Sequence, residues 1–300
     1  MDAKTVPSGY ERQRHDVKQE SARSNRRVRR PAHRGHSRLL LGALAAVCAC
    51  QVSQDQEVAI GSADAARIDS TLPLIRDTAV VRFVTDVGRS MASRTIRADL
   101  DWRFAVVNSP EVNAFALPGG FVYVNRGAIE QADRFDELAG IMGHEIGHVV
   151  RRHAVQQLQQ TERRDLGLVV LCTLTRACST IGHQVAIKVG TDALAARYSQ
   201  RDEAEADSEG VANTVRAGID PEGLPSFFQK LLDEQQEHPT AVEAFFSTHP
   251  TDQSRVAATR ALIRTLALEP GRVLLRDTSE FHAIQARVRA LPAPKPDSAP

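Results

Sequence analysis

The chain has 300 residues, of which 42% are hydrophobic, and this is enough to bury the core of a globular domain. Its formal net charge of +1 hides an asymmetry. Residues 1–38 carry 11 Lys and Arg against 4 Asp and Glu, which leaves 27 against 33 in residues 39–300. The body of the chain is therefore mildly acidic, and no nucleic-acid partner is expected.

The basic start runs into an apolar stretch, LLLGALAAV, at residues 39–47. This order is typical of a secretory signal, and the stretch is too short to span a bilayer permanently. It ends in VCAC, which resembles a bacterial lipobox with Cys50 as the lipidated residue, although Cys48 stands where a small or hydroxylated residue is usual. We expect residues 1–50 to be a basic leader and signal peptide that sends the protein to the periplasm, tethered to the outer membrane through Cys50. An ordinary cleaved signal is the alternative.

Short elements follow the leader. Behind a polar linker at residues 51–69, apolar residues recur at roughly helical spacing from Leu72 to Met91 and predict a helix. Residues 102–107 (WRFAVV) have the composition of a strand. In NAFALPGGFVYVN, alternating apolar runs near 112–117 and 121–125 flank a Pro-Gly-Gly turn, which predicts a hairpin.

Helices are predicted for most of the remaining chain, beginning with a short one at residues 127–132. Potential capping residues predict further helices that start after Asp133, Ser199, Asp220 and Thr251. The segment Leu166 to Ile181 is apolar but interrupted by Arg176, which favours a buried or membrane-touching helix over a membrane span.

Two cysteines, Cys172 and Cys178, lie behind the leader, and an oxidising periplasm would allow them to pair. Six residues of continuous helix span about 9 Å, which is beyond the reach of a disulfide. A bridge therefore requires the helix to break between them, and the sequence leaves the pairing open.

The stretch IMGHEIGHVVRRHA places His144, Glu145 and His148 at the spacing His-Glu-x-x-His. On a helix, residues four apart lie about 40° from each other, so both imidazoles can face one zinc ion with a carboxylate beside them. His153 is nine residues beyond His144, about half a turn round the same helix. We therefore expect His153 to face away from the metal as a surface or packing residue.

A catalytic zinc usually has a third protein ligand. Glu203 and Asp207 lie four apart on the helix predicted after Ser199, so one can bind zinc while the other accepts the free ring N–H of a histidine ligand. The alternative is that acidic residues in a first helical turn only stabilise the helix dipole. The spacing leaves open which carboxylate has which role.

HEIGH, YSQRDEAEAD, STHP followed by TDQSR, and the upstream NAFALPGGFVYVNRG together resemble peptidase family M48, the gluzincin family of the HtpX and CAAX prenyl endopeptidases. The similarity covers roughly residues 70–270, with Gln200 departing from the arginine that is usual there. The resemblance implies that one Zn²⁺ per chain is bound by three side chains, with one carboxylate as the general base and another as the partner of a ligand. The three ligands are His144, His148 and Glu203, the general base is Glu145, and the partner of a ligand is Asp207.

The same resemblance implies an edge strand that holds extended peptide substrates by backbone pairing. Its residues are Asn113, Ala114, Phe115 and Ala116.

His249 lies ahead of a predicted helix N-terminus, where the dipole lowers a histidine pKa and favours the neutral form. In exported members resembling this chain, the equivalent histidine approaches zinc as an inhibitory fourth ligand or helps to stabilise the oxyanion.

We expect an α+β, mainly helical fold: a gluzincin-type zinc metalloprotease domain at residues 70–275, with a small β-sheet or hairpin forming the active-site edge. A C-terminal helix and a proline-rich disordered tail are expected at 276–300. The expected function is a zinc metalloendopeptidase that hydrolyses unfolded or misassembled envelope proteins in the periplasm.

One alternative is a periplasmic chaperone or outer-membrane assembly factor that uses the same cleft with little proteolysis. The intact Glu145 argues against it, because binding alone does not need the base. A second alternative is an integral membrane peptidase that spans the bilayer with residues 166–181.

Overall fold

The computed structural model describes residues 52–161, 198–268 and 271–292. In chain order the elements are α1 (Gln54–Thr71), α2 (Thr78–Ala92), β1 (Arg103–Val107), β2 (Ala114–Leu117), β3 (Phe121–Asn125), α3 (Arg126–Gln131), α4 (Phe135–Arg151), α5 (Gln200–Arg216), α6 (Gly223–Glu237), α7 (Pro239–Thr248), α8 (Gln253–Arg264) and α9 (Ser279–Ala290). Residues 153–161 are also helical. A mainly helical chain with one small sheet confirms the predicted fold class.

Several predictions fall outside the described residues: the leader at 1–50, the apolar stretch at 166–181, the two cysteines within residues 162–197, and the tail at 293–300. Within the described ranges, every helix is too short or too polar to cross a membrane.

The sheet has the strand order β1-β3-β2, with β1 parallel to β3 and β2 antiparallel to it. Strands β2 and β3 form the predicted hairpin. Its turn contains Gly119 and Gly120, whose φ angles of 81° and 102° are ones that side chains rarely adopt. Strand β2 lies at one edge of this sheet.

The two faces of the hairpin pack against different helices, because successive residues of a strand point to opposite sides. On one side, Ala114, Ala116, Val122 and Val124 join the main core with α4. On the other side, Phe115, Leu117, Phe121 and Tyr123 form a second cluster with Ala65 and Ile68 of α1.

The expectation of a polar linker at residues 51–69 is wrong, because most of this segment is the helix α1. Ser53 and Gln56 close a capping box at its start. Gly61 packs so closely on the hairpin turn that a Cβ there would lie 1.7 Å from the carbonyl oxygen of Pro118. The buried face of α1 includes the acidic residues Glu57 and Asp64, so hydrophobic periodicity did not reveal the helix.

Several predicted helix starts are displaced. Helix α2 begins at Thr78, after the capping residue Asp77, whereas Leu74 pairs in extended conformation with Val107. Helix α8 is capped by Asp252 rather than Thr251. Both caps are acidic side chains that accept hydrogen bonds from backbone N–H groups. The pattern of apolar residues gives no information about such capping residues.

Two other starts lie further along the chain than expected. Asp133 does not cap α4, since its carboxylate binds Nζ of Lys230 at 2.5 Å and Arg134 occupies the cap position. Helix α6 begins at Gly223, beyond the turn at residues 221–222. A tertiary contact thus outweighs the capping signal at Asp133, whereas the carboxylate of Asp220 accepts the backbone N–H of Glu222 at 3.0 Å in the turn before α6.

Candidate metal centre

The helices α4 and α5 approach closely because glycines lie where they cross. A Cβ on Gly147 would lie 2.7 Å from the carbonyl oxygen of Ala206, and one on Gly210 would lie 3.0 Å from the backbone nitrogen of His144. Any larger side chain would push the helices apart. The acidic face of α5 therefore lies directly against the histidines of α4.

Four buried side chains converge at this crossing, with one donor atom of each within 4.8 Å of the others: His144, His148, Glu203 and His249. Nε2 of His144 lies 3.0 Å from Nε2 of His148 and 3.3 Å from Nδ1 of His249. Oε1 of Glu203 lies 3.1 Å from the same His249 nitrogen. The structure thus brings the three predicted ligands together and adds His249 to them.

This donor set fits one zinc ion, since three imidazole nitrogens and one carboxylate are ligands that zinc prefers. Burial lowers the pKa of His144 and of His148, and neutral imidazoles are the form that binds a metal. Burial opposes ionisation of Glu203, but the neighbouring His249 lowers the pKa of this carboxyl overall. The pKa shifts of His144, His148 and Glu203 therefore favour the forms that bind a metal.

Asp207 lies behind His144, with Oδ1 2.9 Å from the ring nitrogen Nδ1. When Nδ1–H donates to Asp207, the lone pair of Nε2 points into the cluster. The structure thus gives Asp207 the position that the sequence predicted for a partner of a ligand.

Arg255 links Glu203 and Asp207 of α5, a role that no motif in the sequence predicted. Its Nε and Nη2 donate to Asp207 at 2.8 and 2.7 Å, and its Nη1 lies 2.5 Å from Oε2 of Glu203. Burial alone would raise the pKa of Asp207, but Arg255 lowers it to about 2. The only sequence signal was the presence of an arginine in TDQSR, directly after STHP.

His153 is buried and packs against His148, which agrees with the expectation of a packing residue, but the expectation that it faces away from the metal ligands is wrong. Helix α4 ends at Arg151, and Arg152 adopts a left-handed conformation with φ 59° and ψ 34°. The redirected chain brings Nδ1 of His153 to 3.0 Å from Nδ1 of His148. The prediction failed because it assumed a continuous helix through Arg152.

Glu145 is buried beside the cluster, and neither of its carboxylate oxygens has a hydrogen-bond partner. Oε1 lies 3.3 Å from Nε2 of His249. Burial raises the pKa of Glu145 to about 7, which suits a group that accepts and returns a proton near neutral pH.

His249 does not have the lowered pKa expected from a nearby helix N-terminus. Burial does oppose its protonation, but the carboxylates of Glu145 and Glu203 raise its pKa overall. Helix α8 begins only at Gln253, so the dipole is further away than the sequence suggested.

The C-terminal end of the edge strand β2 lies near the cluster. Leu117 and Pro118 line a small cavity together with His148, and Asn113 and Phe115 line another with Thr248, the neighbour of His249. Among the predicted substrate-binding residues, Asn113 immediately precedes β2, and Ala114, Phe115 and Ala116 belong to it. Ala116 also lines the cavity that contains His148.

The model of the family described as Peptidase family M48 matches residues 81–263, more than half of the chain. The chain is similar to the beta-barrel assembly-enhancing protease of Escherichia coli (strain K12), with 27% identity over 243 residues, which cover 79% of this chain and 49% of that protein. Its similarity to the protein of the same name from Yersinia pestis is 30% over 217 residues, which cover 70% and 44%.

A third similar protein is the mitochondrial metalloendopeptidase OMA1 of Bos taurus, with 31% identity over 166 residues that cover 53% of this chain and 32% of that protein. The chain spans about half the length of the two bacterial proteins.

Proposed function

Because this chain belongs to peptidase family M48, a family of zinc-dependent metallopeptidases, we propose that it is an endopeptidase that cuts unfolded or misassembled proteins of the cell envelope. Family membership confirms the resemblance predicted from the sequence. The observation that carries the proposal is the buried Glu145, which makes no hydrogen bond, beside four converging side chains that could hold a metal, since a site that only binds peptides does not need that carboxylate.

His144, His148 and Glu203 would hold the zinc, which lowers the pKa of a bound water and polarises the peptide carbonyl when present. Glu145 would accept a proton from the attacking water as the water oxygen adds to the carbonyl carbon. It then delivers the proton to the leaving amine. Asp207 keeps His144 in the tautomer whose Nε2 faces the metal.

An extended substrate would pair with β2, the edge strand of the sheet formed by the described residues, and Asn113 to Ala116 would hold its backbone. Such pairing requires an unfolded segment, which supports a role in the removal of unfolded or misassembled proteins. The name of the bacterial relatives, beta-barrel assembly-enhancing protease, supports a role in the envelope. The predicted signal and Cys50 would place the protein in the periplasm on an outer-membrane lipid anchor.

The second candidate is a chaperone or outer-membrane assembly factor that binds clients in the same cleft with little cleavage. One observation favours it: His249 contacts both Glu145 and Glu203 and so closes the centre. Peptide cleavage would then require His249 to move away from Glu145 and Glu203.

The test compares the protein without its leader, residues 51–300, with its Glu145→Gln variant, and measures bound zinc and the cleavage of unfolded casein. We expect both proteins to bind one zinc and cleavage to fall by at least about a hundredfold in the variant. Zinc binding without cleavage by either protein, or by a His249→Ala variant, would favour the assembly factor. A protein without zinc would show that the ligands are wrong.

A further inference from the structure

Glu57 of α1 is a fully buried carboxylate that the proposed mechanism does not use. Its Oε1 accepts hydrogen bonds from Nη1 of Arg97 at 2.7 Å and from the backbone N–H of Gly119 at 3.2 Å. Its Oε2 accepts from Nη2 of Arg97 at 3.0 Å and from Nε of Arg152 at 2.7 Å. A buried charge is costly unless such partners compensate it, so this carboxylate and its donors hold one another in place.

The partners of Glu57 lie at the ends of two elements that approach the metal cluster. Gly119 is in the turn after the edge strand β2, and Arg152 directly follows α4, the helix of the two predicted histidine ligands. Nη1 of Arg97 also donates to the carbonyl oxygen of Val149, in the last turn of α4, at 3.0 Å. Glu57 thus ties α1 to the end of α4 and to the turn of the hairpin.

Arg152 has a backbone conformation that needs support. Its φ of 59° and ψ of 34° are left-handed, which is unfavourable for a residue with a side chain, and among the residues that the structure describes it is the one non-glycine with a positive φ. Its Nε donates to Glu57, and its Nη2 donates to the carbonyl oxygen of Val52 at 2.7 Å. Contacts with α1 and with the residue ahead of its cap therefore stabilise the left-handed turn.

The left-handed turn places His153, the next residue along the chain. His153 is buried, with Nδ1 3.0 Å from Nδ1 of His148. A histidine ligand is oriented by the hydrogen bond of its other ring nitrogen. A displacement of His153 would therefore change the orientation of His148, whose Nε2 faces the cluster.

We propose that Glu57 is a positioning residue of the zinc site: through Arg152 it holds the left-handed turn that keeps His153 against His148. This inference rests on the proposed function, because it takes the cluster as a zinc site. Glu57 precedes residues 81–263, the part of the chain that matches the family, so family membership by itself assigns it no role.

The test measures the zinc affinity of the purified, folded protein by competition with a chromophoric chelator. Glu57→Gln should lower this affinity about threefold to tenfold, because a neutral amide binds the guanidinium of Arg152 more weakly than a carboxylate does. In a His153→Ala background the same substitution should cause no further loss, since Glu57 acts through His153. A residue that only stabilises the fold would have the same effect in both backgrounds.

Asp64→Asn is the matched control. Asp64 is a second buried carboxylate of α1, but its partner Arg67 belongs to the same helix. This variant should therefore leave the zinc affinity unchanged.

Two substitutions of Arg152 test the turn even if Glu57→Gln fails to fold, because this side chain is 35% exposed. Arg152→Gln and Arg152→Gly both remove the bond to Glu57, but glycine adopts a left-handed conformation readily and glutamine does not. Arg152→Gln should therefore lower the zinc affinity about threefold to tenfold, and Arg152→Gly should lower it clearly less.

An unchanged affinity in Glu57→Gln, an equal loss in the His153→Ala background, or equal losses in the two Arg152 variants would overturn the role of Glu57, and the proposed endopeptidase stands if casein is cleaved. If the affinities change as expected but the wild type cuts no casein, the endopeptidase activity fails and the positioning role stands. Absence of zinc binding by the wild type would overturn both.

Discussion

Nδ1 of His153 and Nδ1 of His148 lie 3.0 Å apart, and both rings are buried. One of these two nitrogens must carry the proton that the other accepts. If the proton belongs to His148, its Nε2 keeps a lone pair that points into the metal cluster. His153 then does for His148 what Asp207 does for His144.

We expect His153→Ala to lower the affinity for zinc by about 10-fold to 100-fold, because His148 loses the partner that sets its tautomer and orientation. Competition with a chromophoric chelator measures the affinity. His282→Ala is the control, since this exposed histidine pairs with Asp277 away from the centre. An unchanged affinity in His153→Ala would mean that His153 only fills space.

Arg255→Gln should destabilise the metal-free protein by about 3 kcal/mol or more, because Asp207 and Glu203 stay buried after the loss of their cation. Urea unfolding with and without zinc measures this, and zinc should restore part of the loss because it neutralises Glu203. Arg201→Ala is the control: it breaks an exposed ion pair with Glu205 and should change stability by less than about 1 kcal/mol. Equal effects of the two variants would contradict the prediction.

His249→Ala should raise the rate of casein cleavage while zinc stays bound. Three ligands remain, and the contacts of His249 with Glu145 and Glu203 are removed. Zinc content and initial rates are measured on the same samples. A lower rate at unchanged zinc content would instead assign His249 to stabilisation of the oxyanion.

Gly61→Ala should destabilise the protein by about 1 to 3 kcal/mol, because the new methyl group overlaps the carbonyl oxygen of Pro118 and pushes α1 away from the hairpin. Ser62→Ala, at the exposed neighbouring position of the same helix, is the control and should be close to neutral. Chemical unfolding compares the two variants. A neutral Gly61→Ala would show that α1 packs less closely on the turn.

Burial raises the pKa of Asp136 to about 6, above its ordinary value of 3.8. The folded state thus favours the protonated carboxyl, and this contribution to stability is present below about pH 4 and is lost as the pH rises through about 6. Asp136→Asn keeps a neutral side chain, so its gain over wild type should grow across this range to about 1 to 2 kcal/mol at pH 7.5. Thermal unfolding at several pH values tests this, with the exposed Asp101→Asn as control. A loss of stability at pH 7.5 would mean that the ion pair with Arg134 outweighs burial.

The predictions that succeeded depend on short sequence distances. The hairpin follows from alternating apolar residues around Gly119 and Gly120, and the cap at Ser199 begins α5 as expected. Helical periodicity brought Glu203 and Asp207 to one face of α5. Each of these relationships spans a few residues, so propensity and periodicity are sufficient to predict it.

The sequence by itself determined the family, the mainly helical fold and the set of residues from which a metal centre can be built, because these follow from local spacing and from motifs. Only the tertiary structure decided that Arg255 joins two carboxylates, that His153 contacts His148, and that α1 packs on the hairpin. Arg255 comes from a separate helix, His153 depends on one left-handed residue, and α1 is held by close packing at Gly61. Contacts between distant segments, and a local break of the helix at Arg152, leave no periodic signal in the sequence, so three-dimensional packing was needed to find them.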